Sequence, residues 1–332
     1  MAIRGGAIMK GVVFQAIFFA SSILLTACGS GGTGGNPQAG TGQLNIRIGD
    51  APVDGASQVV IVFTGVELHS NAGTTSFDYA QPQQIDLLAY QNGATVNLLE
   101  NETVAAGEYQ WMRLKVIAER NRSDGSFILF EDGRQFPLFI PSGAETGLKI
   151  NRPFRVAVGG ITRLVADFDL RKSIIAPPGL APDYILKPVL RLVDELQVGT
   201  IAGEVDLVGL ASQQLGAGST AADCAAGIYL FTGAGATPDD VDGVTDDGAD
   251  PIIVQPLAFD GMNALVSYSL AFVEAGSYTL SATCDLDIDA SPEASEYDPA
   301  AMDGQPGFQT MHWTSADPVV VAANQTTTVD LP

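Results

Sequence analysis

The side chains in this sequence with the most capacity for chemistry are carboxylates. Asp285, Asp287 and Asp289 alternate in Asp285-Leu286-Asp287-Ile288-Asp289, so an extended backbone sets all three on one face. Glu293 and Glu296 follow at the ninth and twelfth positions counted from Asp285. Ca²⁺ takes about six to eight oxygen ligands, and an Asp-x-Asp-x-Asp run with Glu at position twelve supplies them in an EF-hand loop. This run departs from that loop: its sixth position is Ala290 where Gly is needed, its eighth is Pro292, and a strand precedes it. A second cluster, Asp239, Asp240, Asp242, Asp246, Asp247 and Asp250, falls in another long polar stretch. Two readings stay open for both clusters: Ca²⁺ held by loop carboxylates, or a solvated acidic surface that serves solubility.

Other reactive constellations are missing. There is no Gly-x-Ser-x-Gly, no His-Glu-x-x-His and no Gly-rich phosphate loop with a Lys. Two histidines and three cysteines leave little for a zinc site, an iron–sulfur cluster or a c-type haem. His69 and His312 read as strand-end or surface residues. Trp111, Trp313 and Tyr297 could stack on a sugar ring, the plain alternative being aromatics packed into a core.

The formal charge of −22 is unevenly placed. Residues 1–191 hold all 16 Lys and Arg and 16 of the 38 acids, whereas residues 192–332 hold the other 22 acids and no basic side chain. Phosphate recognition needs Lys and Arg, so a nucleic-acid partner is excluded for the C-terminal half.

The chain starts with an address. Arg4 and Lys10 form a positive n-region and Gly11–Leu25 an uncharged apolar h-region, too short for a comfortable membrane span. Leu25-Thr26-Ala27-Cys28 resembles the bacterial lipobox. Residues 1–27 are then a lipoprotein signal peptide, and Cys28 becomes the acylated first residue, its several chains giving stable anchorage at ~0.8 kcal/mol per buried methylene. Gly29 after the cysteine favours the outer membrane by analogy with bacterial lipoprotein sorting. Residues 28–43 read as a Gly-rich tether with a coil-like reach of roughly 20 Å. In an oxidising compartment Cys224 and Cys284 are the two thiols left, so they are expected to pair and to stabilise the fold by ~4 kcal/mol in the chain-entropy model. Two buried free thiols are the alternative.

From Leu44 onward the expected elements are strands: Leu44–Ile48, Val59–Leu68, Trp111–Ala118, Phe127–Phe130, Phe136–Ile140, Phe154–Val158, Leu164–Leu170 and Lys187–Val193. Gln43-Leu44-Asn45-Ile46-Arg47-Ile48 and Trp111-Met112-Arg113-Leu114-Lys115-Val116 alternate with period two. Asp124-Gly125 and Asp132-Gly133 favour hairpin turns. One short helix is expected around Gln84–Tyr90 or Arg171–Ala176. A second body starts with a strand at Thr200–Leu210 and continues with strands at Gly227–Thr232, Ala264–Val273, Ser277–Ile288 and Pro318–Val329.

Several segments together resemble a known family. They are Gly49-Asp50-Ala51-Pro52, the long strand Val59–His69, Ile85-Asp86-Leu87-Leu88, Ala105-Ala106-Gly107-Glu108-Tyr109, Gly147-Leu148-Lys149-Ile150, Asp167-Phe168-Asp169-Leu170 and Leu186-Lys187-Pro188-Val189-Leu190-Arg191. Over about residues 43–196 the chain is similar to the bacterial lipoprotein family labelled domain of unknown function 4382. The resemblance implies a β-sandwich on an envelope lipoprotein and brings no catalytic residues. In the second body, the stretch Leu270–Leu280 with its Ala275-Gly276-Ser277-Tyr278 turn is similar to transthyretin-like and carboxypeptidase-regulatory-like sandwiches, and Ala106-Gly107-Glu108-Tyr109 echoes that turn.

The expectation is an all-β protein of two β-sandwich domains, Ig-like or transthyretin-like, at 44–196 and 199–332. The expected function is a non-catalytic envelope lipoprotein, a binding or adhesion module for a protein or glycan, with Ca²⁺ ordering its acidic loops. A structural or assembly subunit is the alternative, which an exposed edge strand would favour. A hydrolase with an inter-domain site would need Asp, His and Ser converging in a pocket.

Overall fold

Alternation sets the first strands. In β1 (Thr41–Asp50) Leu44, Ile46 and Ile48 point inward and are fully buried, while Gln43, Asn45 and Arg47 point away. The computed structural model describes residues 40–50, 56–120, 122, 124–141, 147–176, 183–187, 189–241, 249–286 and 311–332. The expectations placed on Cys28, the signal peptide and residues 28–39 of the tether lie outside them, as do those on Asp242, Asp246, Asp247, Asp287, Asp289, Glu293, Glu296 and Tyr297.

The N-terminal body continues with β2 (Ala56–Ser70), β3 (Gly73–Asp86), a 3₁₀ turn (Leu87–Tyr90), β4 (Val96–Ala105), β5 (Gly107–Val116), β6 (Phe127–Phe130), β7 (Gln135–Phe139), β8 (Leu148–Ile150), β9 (Phe154–Val156) and β10 (Ile161–Phe168). The short helix α1 (Leu170–Ser173), β11 (Ile174–Ile175), β12 (Tyr184–Leu186) and β13 (Leu190–Asp194) complete it. One sheet runs β13-β10-β1-β4; the other runs β11-β12-β7-β6-β2-β5-β8, with β3 on β2 and β9 on β5. Leu44, Ile46, Phe63, Leu68, Met112, Leu114 and Phe168 lie in the core between them.

The C-terminal body comprises β14 (Val198–Asp206), α2 (Leu207–Gln214), β15 (Ala226–Thr232), β16 (Ile253–Leu257), β17 (Leu265–Glu274), β18 (Gly276–Thr283), β19 (Thr314–Val321) and β20 (Thr326–Thr328). Its sheets run β17-β14-β20 and β16-β15-β18-β19 around Ile201, Val205, Ile228, Leu230 and Leu280. The pairing plan repeats that of the first body. β1 pairs β10 parallel and β4 antiparallel, and β14 likewise pairs β20 parallel and β17 antiparallel. From β4 the chain crosses at Ala106 to β5, and from β17 it crosses at Ala275 to β18.

Several sequence expectations need correction. The strand expected over Thr200–Leu210 ends at Asp206, whose carboxylate accepts the Val208 N–H and starts α2. Ser277–Ile288 stops as a strand at Thr283, and Pro318–Val329 is two strands, β19 and β20, joined by a turn containing Asn324 at φ 57°. The expected helices shrink to the 3₁₀ turn and to α1, each of four residues. Asp132-Gly133 does close the β6–β7 hairpin, whereas Asp124-Gly125 lies in an excursion from β5 to β6, strands that both pair with β2.

Candidate functional site

The described carboxylates of the two acidic clusters do not gather. Asp239 and Asp240 are 0% and 1% exposed, beside the small aromatic core of Tyr229, Phe231, Val241 and Val254. Asp250, next to the Ala249 that bridges to Pro238, is exposed. Asp285 turns to His312, accepting its N–H at 3.3 Å and facing its Nδ1 at 3.4 Å. Among the described residues no group of three or more Asp, Glu, His or Cys is close enough to hold a metal ion. Cys224 and Cys284 form a disulfide, their Cα atoms 4.5 Å apart.

The aromatics split between two roles. Trp313 meets Tyr229 and Phe231 edge-on at 5.0 and 6.0 Å and belongs to the small core. Trp111 sits on the outer face of β5. His69, on neighbouring β2, stacks on its ring at 4.7 Å, and Lys149, on β8 across β5, places its Nζ 4.4 Å from the ring centre. With these neighbours on either side, the indole has little free face to offer a sugar.

A cleft of about 330 Å³ lies between the two bodies. One wall comes from the ends of β10 and β13 and from α1, the other from the start of β16 and the later half of β17. Val189, Pro251, Ile252, Leu270 and Phe272 make it largely apolar. Asp250 lines it as an exposed carboxylate, and several of its other polar groups are already engaged. The Arg191 guanidinium donates to the Asp167 carboxylate, from Nε at 3.1 Å and more closely from Nη2. Burial pushes the Asp167 carboxyl up, against the pull of Arg191. Lys172 Nζ donates to the Pro251 carbonyl at 3.2 Å, and Gln255 accepts from Ser269 N while donating to Asn92 Oδ1.

Two backbone features build this junction. Asn92 and Gly93 have φ of 56° and 86°, and Ala94 N donates to Gln91 O, so Gln91–Ala94 is a tight turn of the primed type. A Cβ at Gly93 would come within 2.8 Å of the Ala271 Cβ, so only glycine allows that approach. Opposite Thr200, β17 bulges by one residue, and Phe272 takes φ 57°, an uncommon choice for a bulky residue. Its ring packs with Val165, Val193 and Val198, which come from both bodies. The Asn92-Gly93 dipeptide was a usable signal in the sequence; the Phe272 conformation had none.

Residues 41–188 match the family model described as domain of unknown function (DUF4382). This segment is a DUF4382 domain. The match covers the N-terminal body up to β12 and assigns it no activity. No curated protein matches the chain. Among solved structures, a leucine-rich repeat protein from Bacteroides thetaiotaomicron is similar at 10% identity and TM-score 0.23, over 88% of this chain and 26% of that one, so this chain spans about a quarter of its length. A putative cell adhesion protein from Bacteroides fragilis is similar at 10% identity and TM-score 0.19, over 87% of this chain and 91% of that one. A minor pilin of Streptococcus agalactiae is similar at 11% identity and TM-score 0.15, over 86% and 93%. Likenesses at these scores carry no functional argument.

Proposed function

We propose that the chain is a non-catalytic lipoprotein of the bacterial outer membrane, a binding or adhesion module for a protein or glycan. The observation that carries this reading is the state of the inter-body cleft. Its walls are apolar, Asp167 is tied to Arg191, and Lys172 and Gln255 are spent on bonds across the junction. Acid–base catalysis needs a base within hydrogen-bond reach of the group it deprotonates. His69 and His312 both lie outside the cleft lining, so the Asp–His–Ser convergence a hydrolase would need is not found among its residues. A recess of this make-up fits recognition by shape and apolar contact.

The envelope address rests on Leu25-Thr26-Ala27-Cys28, and Cys28→Ser tests it. The variant is expected to lose metabolic lipid label and to leave the membrane fraction. Retained label with retained sedimentation places the anchor elsewhere.

A structural or assembly role has one observation in its favour. β3 is a long edge strand whose outer side has no partner strand among the described residues. Phe63 on β2 pairs with Gln83 and Gly65 with Asp78, so Tyr79–Pro82 form a bulge in β3, and Tyr79 Oη donates to Leu98 O. Bulge and proline blunt the edge, which leaves Gly73–Asp78 as the straight stretch open to a further strand.

A further inference from the structure

The far end of the C-terminal body displays three large exposed apolar side chains. β14 and β17 leave the junction at Val198 and Glu274 and run antiparallel to Asp206 and Leu265, ~26 Å away at the usual strand rise. There Leu207 N donates to Ala264 O at 2.9 Å, which holds the start of α2 alongside the segment leading into β17. Met262 is 86% exposed, Leu265 59% and Val208 46%, three of the eight large apolar side chains exposed among the described residues.

The loop is ordered before any partner arrives. The Asp260 carboxylate accepts from Met262 N at 2.8 Å and Asn263 N at 2.7 Å, and Gly261 supplies the positive φ of 85° that the turn requires. An anchor held this way loses little further freedom on binding, and an unbranched thioether adapts to an irregular recess. Around it stand Asp206, Asp260 and Glu204, in a segment, 192–332, that contains no Lys or Arg.

We propose that this tip docks a protein partner presenting an apolar recess ringed by Lys and Arg. The inference rests on the binding-module reading and names the partner's chemistry. Apolar contact at Met262, Leu265 and Val208 supplies the anchor, and the acidic rim steers the basic partner and sets its register.

The test uses the full chain in non-ionic detergent, with ¹³C-methyl methionine and detergent-only blanks. The probe is a hexapeptide alternating Leu and Lys, compared with a Ser–Lys hexapeptide of equal charge. The Leu–Lys peptide is expected to shift the Met262 methyl resonance and the Ser–Lys peptide to leave it in place. The double variant Met262→Ser, Leu265→Ser keeps the net charge and exchanges only exposed side chains; an unchanged melting temperature verifies its fold. It is expected to bind the Leu–Lys peptide at least tenfold more weakly in 0.15 M NaCl. Equal binding by the variant reduces the contact to bulk charge and overturns the proposal. Binding that leaves Met262 unshifted places recognition elsewhere, which sinks the tip but not the module. Self-association of the wild type that the double variant abolishes makes a second copy the occupant and also overturns it. No binding of either peptide counts against the tip.

Discussion

Tyr109 and Tyr278 hold equivalent places in the two bodies. Each follows the crossing from one sheet to the other, in Val104-Ala105-Ala106-Gly107-Glu108-Tyr109 and Val273-Glu274-Ala275-Gly276-Ser277-Tyr278, and each hydroxyl donates at 2.8 Å to the carbonyl four residues upstream. Both rings are buried, so the hydroxyl cannot exchange that partner for water. Tyr278→Phe and Tyr109→Phe are each expected to cost about 1 kcal/mol, a fall in melting temperature of roughly 2–4 °C by differential scanning calorimetry. No loss in either variant would show that the crossings are held by packing alone. Tyr79 gives a pH signature. Burial pushes its hydroxyl up to about 12 from an ordinary 10.0. Between those values the folded protein binds more protons than the unfolded one, so the contribution of Tyr79 is complete below about pH 10 and lost as pH rises toward 12. Melting curves from pH 9 to 12 are expected to fall less steeply for Tyr79→Phe than for the wild type; parallel curves would contradict the assignment.

At the scale of elements, α2 shows where sequence patterning runs out. Val205-Asp206-Leu207-Val208-Gly209-Leu210 is apolar enough to extend a strand, yet Asp206 switches the chain to helix because its carboxylate satisfies the first free N–H. Asp206→Ala is expected to lower stability by about 1 kcal/mol, measured by urea unfolding, while Asp206→Ser loses little because a hydroxyl accepts the same bond. Equal losses in the two would mean that the cap is irrelevant. Strands with one apolar face, such as β1 and β5, were legible because alternation is the direct image of a half-buried sheet. β3 was not, because an edge strand exposed on both sides carries almost no alternation: Gly73–Ser76 and Ala80–Gln84 are all exposed. β4 was missed for a related reason, its Glu100, Asn101 and Glu102 standing where a bulge opposite Asn45 breaks the period. The cleft could not be read at all. Its walls come from segments about 80–180 residues apart, and only the folded chain sets Asn92 against Gln255.

The whole molecule pairs a nearly neutral body with one, from Val198 onward, whose 20 acids have no basic residue of their own. The few cations that reach the acidic body come from the other side of the junction, where Arg152 pairs with Glu274 and Lys172 reaches the Pro251 carbonyl. Among the described residues, Glu204, Asp223, Asp250, Asp260, Asp317 and Asp330 are exposed to water, where salt screens them. Asp239 and Asp240 are different, because they are buried and lie outside the reach of that screening. The exposed acids are the ones ions from solution can reach, and carboxylate oxygens are the ligands Ca²⁺ takes. Thermal melting of the protein in Ca²⁺, Mg²⁺ and NaCl at matched ionic strength separates specific binding from screening. A ligand that binds only the folded state adds about 2.7 kcal/mol at a hundredfold excess over its Kd, so millimolar Ca²⁺ on a site of about 10 µM affinity is expected to raise the melting temperature of the C-terminal body by several degrees. If Ca²⁺ does no more than NaCl at equal ionic strength, the acidic surface is a solvation device.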